Sequence, residues 1–527
     1  MTDDQEDSAE GECALSRFQI ATLLVSVMVV AICGIAYELI IAAVSSYLIG
    51  NGVLQFSLTI GLFMLAMGIG SLISQRISHN LVAWFIGIEI VLAVLGGWSS
   101  SLLFWAFPGY SLFRPVSWAL ILSIGTLVGL EIPLLTRILS RATTWRAAIA
   151  NVLSLDYFGA LVGSVAFPLF LLPTLGLFQS SLGVALLNAV VAIGTLLPFS
   201  RSLKSTLPKT LVGLWLGAIA ATALLAAGLV GSNWLQDRAE AQLFSSNIIY
   251  RNQTPYQRII ITRNERNENI RLYLDGHLQF AEQDEYRYHE SLVHPLMSLT
   301  GPRERILILG GGDGLAIREL KKFSEVRHID LVDIDPAMTQ LARQFEPLRK
   351  LNDDSLADDR VQVHHRDAFS YVREFPEQAD SADRYDRVII DLPDPHNDTL
   401  SKLYSLEFYR LLKRCMSGDG VMVCQSSSPL FTRQAFWCVA ETMEAAGFKT
   451  LSYGVNVPSF GPWGFHLASQ SEILLSDVSL DETRTRFLTS DKWKAATQFA
   501  ADESRVAAVP NKLFEPTIYL YYLRALR

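Results

Sequence analysis

Charge is scarce in the first half of this chain. Between residues 18 and 231 there are four acidic side chains, Glu38, Glu89, Glu131 and Asp156, and eight lysines and arginines. A stretch so poor in charge has too little polar surface to face water on all sides, which excludes an ordinary soluble domain there. Cysteine is scarce as well: Cys13, Cys33, Cys415, Cys424 and Cys438 are the five in 527 residues, with no CxxC pair and no Cys/His spacing. A disulfide framework is therefore excluded, no metal site is expected, and the cysteines read as free thiols. There is no basic excess either. The net charge is −8, with −5 in the tail 1–17, +4 over 18–231 and −7 beyond. An acidic second half argues against nucleic acid and mildly for a cationic substrate.

What is present in the first half is apolar length. The chain is 50% hydrophobic with a mean hydropathy of +0.27. Seven stretches, near 18–41, 55–75, 81–107, 115–136, 152–173, 178–199 and 209–231, reach the roughly 20 residues that a bilayer crossing needs. The first follows an acidic tail rather than a basic segment and has no small-residue cleavage site, so it reads as an uncleaved helix. This gives an expected layout of an acidic tail over 1–17, a multi-span α-helical membrane domain over 18–231 and a link over 232–250. The ionisable residues within the spans are costly in hydrocarbon and are functional candidates, for example on a polyamine or cation pathway. Pairing with Arg137, Arg141 or Arg146 is the plainer reading. Gly159 and Gly163, and Ala66 with Gly70, have the spacing of helix-packing pairs.

The second half is punctuated differently. Ile248-Ile249-Tyr250, Tyr256–Thr262 and Ile270–Leu274, with polar turns at 264–269 and Asp275-Gly276, read as β-hairpins of a small subdomain over 251–300. A helix follows from Asp284 to about Leu299. Then Ile306-Leu307-Ile308-Leu309 runs into Gly310-Gly311-Gly312-Asp313-Gly314 and a helical pattern: strand, tight turn, helix, a place where backbone can approach a ligand closely. About twenty residues on, His328–Val332 ends in Asp333-Ile334-Asp335, an acidic strand end suited to ribose hydroxyls. Val361–His365, Arg387–Ile390 and Gly420–Gln425 continue the rhythm. Strands alternating with helices predict a parallel, doubly wound α/β sheet over 301–527, with ligands at the strands' carboxyl ends. Asp313, Asp333, Asp367, Asp391 and Asp394 all fall at such ends. Each alone suits a helix cap or a turn; five on one edge suggest a site.

Taken together, Tyr256-Gln257, Leu274-Asp275-Gly276 with Gln279, Asp284-Glu285, Tyr288-His289-Glu290, the glycine turn, Asp333-Ile334-Asp335, Asp367-Ala368 and Asp391-Leu392-Pro393-Asp394-Pro395 with Leu403-Tyr404 and Phe408-Tyr409 resemble the spermidine synthase (polyamine aminopropyltransferase) family, especially members with an N-terminal multi-span region. The resemblance covers roughly 250–470. It implies a Rossmann-like, class I methyltransferase-type domain that moves the aminopropyl group of decarboxylated S-adenosylmethionine to putrescine. That molecule is a co-substrate, and no cofactor is expected. By position, Gln257, Asp333, Asp367 and Ala368 would hold its nucleoside and sulfur portion. Asp313 and His289 would lie at its aminopropyl arm and the amine, and Asp394 would accept the proton, with Tyr288 and Asp391 beside it. Such groups suit the chemistry, because an alkylammonium with a pKa near 10.4 must lose a proton before it can attack. The resemblance also implies a homodimer.

Three departures stand out. Asp333 replaces the family's usual Glu, the loop His396–Lys402 lacks the usual Gly-Pro and Glu, and Phe460 stands where many members have Tyr. The last two leave the acceptor amine open. Another transferase on the same fold, or a membrane polyamine sensor or transporter, are the alternatives. For the lipid-facing half, Arg17, Arg76, Arg137, Arg141, Arg146, Arg201, Lys204 and Lys209 fall on one side of an alternating topology and only Arg114 on the other, which places the N-terminus in the cytoplasm. Seven spans would then carry the second half outside, whereas a cytosolic sulfonium donor requires it in the cytoplasm. The cytoplasmic side of the cell membrane is the expectation retained.

Overall fold

The computed structural model describes residues 15–49, 52–107, 110–241, 244, 246–376, 380 and 383–525. Cys13 and nearly all of the acidic tail lie outside the described residues. The chain divides into two compact units, Met1–Ser245 and Ser246–Arg527.

The first unit is helical: α1 (Arg17–Ile49), α2 (Gly52–Ser74), α3 (Leu81–Ala106), α4 (Tyr110–Leu139), α5 (Trp145–Ala166), α6 (Leu172–Thr206), α7 (Pro208–Val230) and α8 (Ser232–Ala241). Small residues let the helices meet closely. A Cβ on Gly159 would lie 2.3 Å from the Met28 carbonyl oxygen, and one on Gly70 would lie 2.1 Å from that of Thr126. These contacts bring α5 onto α1 and α2 onto α4.

The seven expected apolar stretches fall on α1 to α7; six helical segments are long and apolar enough to cross a membrane, the longest being Trp145–Thr206, which holds the stretches 152–173 and 178–199 on either side of a break at Gly176. A π-helical turn, Phe167–Leu171, joins α5 to α6, and the helical path breaks only at Gly176, with φ 68° and ψ −172°. No polar turn separates the two stretches, so the backbone stays helical almost to that glycine. At 1.5 Å per residue the segment would be about 90 Å if straight, roughly three times a bilayer's hydrocarbon core. The link expected over 232–250 is also mostly ordered. α8 occupies its first part, with Arg238 stacked 4.7 Å over the Trp234 ring one turn away, and the first strand of the next unit already begins at Asn247.

In the second unit β1 (Asn247–Gln253), β2 (Arg258–Arg263), β3 (Ile270–Leu274) and β4 (His277–Ala281) form an antiparallel sheet in chain order. Ile259, Ile261, Ile270, Leu272 and Phe280 turn into a core shared with α9 (Glu285–Met297). The chain continues through β5 (Arg305–Gly310), α10 (Leu315–Leu320), β6 (His328–Asp333), α11 (Pro336–Gln344), α12 (Glu346–Leu351), β7 (Val361–His365), α13 (Ala368–Arg373), β8 (Tyr385–Asp391), α14 (Asp398–Ser401), α15 (Leu406–Cys415), β9 (Met416–Gln425), α16 (Arg433–Ala445), β10 (Lys449–Val457), β11 (Gly461–Ser469), α17 (Ser490–Ala496) and α18 (Thr517–Ala525).

These strands build one seven-stranded sheet in the order β10-β11-β9-β8-β5-β6-β7. The five strands from β9 to β7 are parallel, as α/β alternation requires. The expectation of a wholly parallel sheet falls short at one edge, where β11 runs antiparallel to β9 and pairs with β10 as a hairpin. Along β5, Ile306 and Ile308 enter one core while Leu307 and Leu309 enter the other. A strand covered on both faces reads as an unbroken apolar run.

Gly310 pairs with Asp391 in the β5–β8 register. Its φ is +82°, and a Cβ there would sit 2.1 Å from the Asp391 carbonyl oxygen. Gly310→Ala therefore combines a left-handed backbone with a main-chain overlap, and should destabilise this unit by about 3 kcal/mol. Urea unfolding followed by circular dichroism checks this; an unchanged midpoint would show that the two strands can separate at little cost.

Candidate active site

The glycine turn and the neighbouring strand ends surround a cavity of about 700 Å³. All nine residues expected at the site, Gln257, Tyr288, His289, Asp313, Asp333, Asp367, Ala368, Asp391 and Asp394, line it. They come from the β1–β2 turn, α9, and the carboxyl ends of β5, β6, β7 and β8.

At one end of the cavity, Asp333 closes β6. Its Oδ2 accepts the Gly312 N–H at 3.0 Å and its Oδ1 accepts the Asp335 N–H at 2.8 Å. A Cβ on Gly312 would lie 2.4 Å from Oδ2, so only glycine admits this carboxylate. Each oxygen keeps a further lone pair able to accept another hydrogen bond. Burial pushes Asp333 up to about 6, partly offset by the bond from the Asp335 N–H. Gln257 is held in place by donating to Asp335 Oδ2 at 3.0 Å, while Asp335 itself caps α11 through the Ala337 N–H at 3.0 Å. Asp367 caps α13, accepting the Ser370 N–H at 2.9 Å, and its other oxygen meets Lys402 Nζ at 2.9 Å. Burial raises Asp367, but Lys402 and the capping bond outweigh that and leave it below its ordinary value. The capping role and the cavity-lining role thus coexist in Asp367, whereas Asp333 braces the glycine turn and the start of the next loop.

The other end is built from Tyr288, Asp391 and Asp394. The Tyr288 hydroxyl donates to Asp391 Oδ1 at 2.5 Å. Burial pushes Asp391 up to about 6, with the Asp313 charge adding to it. Asp394 Oδ2 accepts from the Ser427 hydroxyl at 3.0 Å and the Tyr522 hydroxyl at 3.1 Å. Its Oδ1 is buried without a hydrogen-bond partner. Burial holds this carboxyl above its ordinary value. Phe460 and Trp463, with ring centroids 5.1 Å apart, wall the cavity beside Tyr288. His277 and His396 stack at 4.8 Å on its rim, and burial together with His277 pushes His396 down to about 4.

A chain of buried charges positions the middle. His289 Nδ1 bonds Glu285 Oε2 at 2.8 Å, and Arg318 grips both Glu285 oxygens at 2.8 and 2.9 Å. Burial alone would lower His289; the Glu285 bond and charge, then Asp313 and Asp391, hold it above its ordinary range. Asp313 accepts the Leu315 N–H at 2.8 Å, and burial raises its carboxyl.

Sequence reasoning missed Ser427, Tyr522, Gln425 and Trp463. Gln425 Nε2 donates to the Tyr404 hydroxyl at 2.8 Å and to the Leu392 carbonyl, and Tyr404 donates to the Pro393 carbonyl at 3.0 Å, fixing the strand end that carries Asp394. Gln425 carried a signal, being the last residue of an apolar strand. Tyr522 carried none, since it approaches Asp394 from a helix 128 residues away.

The spermine/spermidine synthase domain family matches residues 285–479. Polyamine aminopropyltransferase 1 of Streptomyces coelicolor is 44% identical over 505 residues, 95% of this chain and 93% of that protein. Polyamine aminopropyltransferase of Leptospira interrogans is 41% identical over 505 residues, 95% of this chain and 98% of that protein. Both alignments are long enough to span the helical unit as well as the α/β unit. A crystal structure of spermidine synthase in complex with the transition state analogue AdoDATO aligns at 26% identity with a TM-score of 0.44, covering 48% of this chain and 85% of that one.

A carboxyl raised by burial favours the folded state only while protonated. The ionised Asp391, with its folded value of about 6 above the ordinary 3.8, therefore opposes folding at neutral pH. Asp391→Asn should raise the melting temperature at pH 7.5. The gain should shrink as pH falls through 6 and vanish below about 4, where aspartic acid is neutral folded or unfolded. Thermal melts across that range check the sign; a gain that grew on acidification would contradict it.

Proposed function

Because the chain belongs to the polyamine aminopropyltransferase family, we propose that it transfers the aminopropyl group of decarboxylated S-adenosylmethionine to putrescine, giving spermidine and methylthioadenosine. The observation that carries this reading is the unpartnered, buried Oδ1 of Asp394, a residue that lines a cavity with three further raised carboxyls.

In this reading Asp333 and Gln257 hold the ribose end of the donor, and Asp367 with the Ala368 backbone takes its base. Lys402, bonded to Asp367, shifts or shares that carboxylate when the base arrives. Asp313 and His289 lie along the aminopropyl arm. The attacking ammonium gives a proton to Asp394 Oδ1, freeing a lone pair. That pair forms a C–N bond to the methylene next to the sulfonium, the C–S bond breaks, and its electrons return to sulfur. The departing thioether is neutral and needs no acid. Asp391, steadied by Tyr288, attracts the diamine's second charge. Alignment of the two substrates supplies much of the rate.

The helices of the first unit are compatible with membrane spans. We place them in the cell membrane, with the α/β unit on the cytoplasmic side where the sulfonium donor is available. Phe460, lacking a hydroxyl, and His396 next to Asp394 set the acceptor end apart, so cadaverine and spermidine are the competitors to compare.

Turnover by the detergent-purified full chain tests the assignment. Methylthioadenosine release and the polyamine product are followed with putrescine, cadaverine or spermidine as acceptor. Spermidine should form from putrescine, and Asp394→Asn should lower kcat by about 10²- to 10⁴-fold with little change in donor binding. Undiminished turnover in that variant would remove Asp394 from the chemistry, and preference for another amine would replace putrescine.

A further inference from the structure

Two hydroxyls reach Asp394 from distant parts of the α/β unit, and each is held there by a separate device. Tyr522 belongs to α18, beyond residue 479 where the family match ends. That helix is anchored by Asn511, which is 0% exposed. The Asn511 side-chain amide donates to the Ser401 carbonyl at the end of α14, and its N–H donates to Thr442 Oγ1 on α16, both at 2.9 Å. Its carbonyl accepts the Leu406 N–H of α15 at 2.8 Å, and its Oδ1 accepts the Ile518 N–H of α18 at 3.3 Å. One buried asparagine thus ties α18 to the elements that follow the Asp394 loop. Ser427 arrives from the other side, just past β9. Its backbone is left-handed, with φ +65°, a conformation that is strained for a residue with a Cβ. Gln425 Oε1 accepts the Ser427 N–H at 3.2 Å, and the Ser427 carbonyl accepts the Gly464 N–H at 2.8 Å. Glycine would adopt this backbone freely but would bring no hydroxyl to Asp394.

Both hydroxyls donate to the same oxygen, Oδ2, at 3.0 and 3.1 Å. A carboxylate oxygen has two lone pairs, so Oδ2 is filled while Oδ1 has no partner. The two oxygens are thereby made unequal: one is tied to the protein and the other is left for a proton. Ser427 and Tyr522, with Gln425 behind them, also offset part of the burial that raises this carboxyl, because they bond its ionised form. Without them more of Asp394 would be protonated and unable to act as a base. The other titratable groups in electrostatic range are His277 on β4, Tyr288 on α9, Tyr404 ahead of α15 and Cys424 on β9. His396 donates its N–H to the Asp394 carbonyl at 2.7 Å. Substitution of Tyr522 by phenylalanine leaves that set in place.

We infer that Tyr522 and Ser427 are positioning residues for Asp394, holding Oδ2 between them so that Oδ1 is the oxygen that takes the proton of the acceptor ammonium. The inference rests on the reading of Asp394 as the base. Profiles of kcat against pH for the detergent-purified full chain, with the sulfonium donor and putrescine, test it. Tyr522→Phe keeps the ring and loses one donor. Its kcat should fall about tenfold with the donor KM unchanged. The acid limb of its profile should move up by about one pH unit, because the lost bond stabilised the ionised form. Ser427→Gly loses the other donor and relieves the left-handed strain, so its kcat should fall similarly while it melts no lower than the wild type. A merely structural contact would lower the melting temperature and leave the acid limb in place. Infrared titration of the Asp394 carboxyl, identified as the band missing from Asp394→Asn, should show the same upward shift in Tyr522→Phe. Wild-type kcat and an unmoved acid limb in Tyr522→Phe, beside an inactive Asp394→Asn, would overturn this inference alone. Full turnover in Asp394→Asn would remove the base and this inference with it. With no turnover of any amine by the wild type the transferase reading fails, and an unmoved carboxyl band in Tyr522→Phe would overturn the positioning role as well.

Discussion

The site depends on how closely β5 and β8 end beside each other. Gly310 faces Asp391 across the sheet with no room for a side chain between them. That approach lets the glycine turn bend over the strand ends and brings Asp313 towards Asp391. It also leaves the Gly312 N–H free to bind Asp333. Tyr288 reaches Asp391 from α9, whose own position is fixed by the Arg318–Glu285 pair. One backbone contact thus sets the separation between Asp333 at one end of the cavity and Asp391 with Asp394 at the other.

The electrostatics follow from that geometry. Asp313, Asp333, Asp391 and Asp394 line one cavity, and burial raises every one of them. Of the basic side chains that line the cavity, Lys402 is spent on Asp367, whose carboxyl is correspondingly lowered, and Arg366 is paired with Glu374. His289 carries a raised imidazole, but Glu285 already answers it. The edge is therefore short of positive charge, and a sulfonium and an ammonium are the ligands that would relieve it. A site built this way trades stability for a preorganised field.

Much of this was legible in the residues. The apolar run Ile306–Leu309 with its glycines marked the central strand, and acids at successive strand ends marked the cavity, because parallel sheets place their loops on one edge. Asp333, Asp367 and Asp394 are short-range features, each tied to a strand end a few residues away. What stayed hidden was long-range. Nothing local announces that Tyr522 meets Asp394, that Lys402 meets Asp367, or that β10 and β11 add an antiparallel edge. The junction of α5 and α6 was hidden for the opposite reason: hydropathy separates two stretches, but the backbone stays helical through Phe167–Leu171 and breaks only at Gly176.

The central claim is that the buried carboxyls await a cation, and proton linkage tests it most directly. Putrescine binding to the full chain would be measured by calorimetry at pH 6 in buffers of different ionisation enthalpy. The account predicts net proton release at pH 6, where Asp333 and Asp391 are near half-protonated, declining by pH 7.5 as they ionise beforehand. Binding with no proton exchange, or with proton uptake, at pH 6 would contradict it.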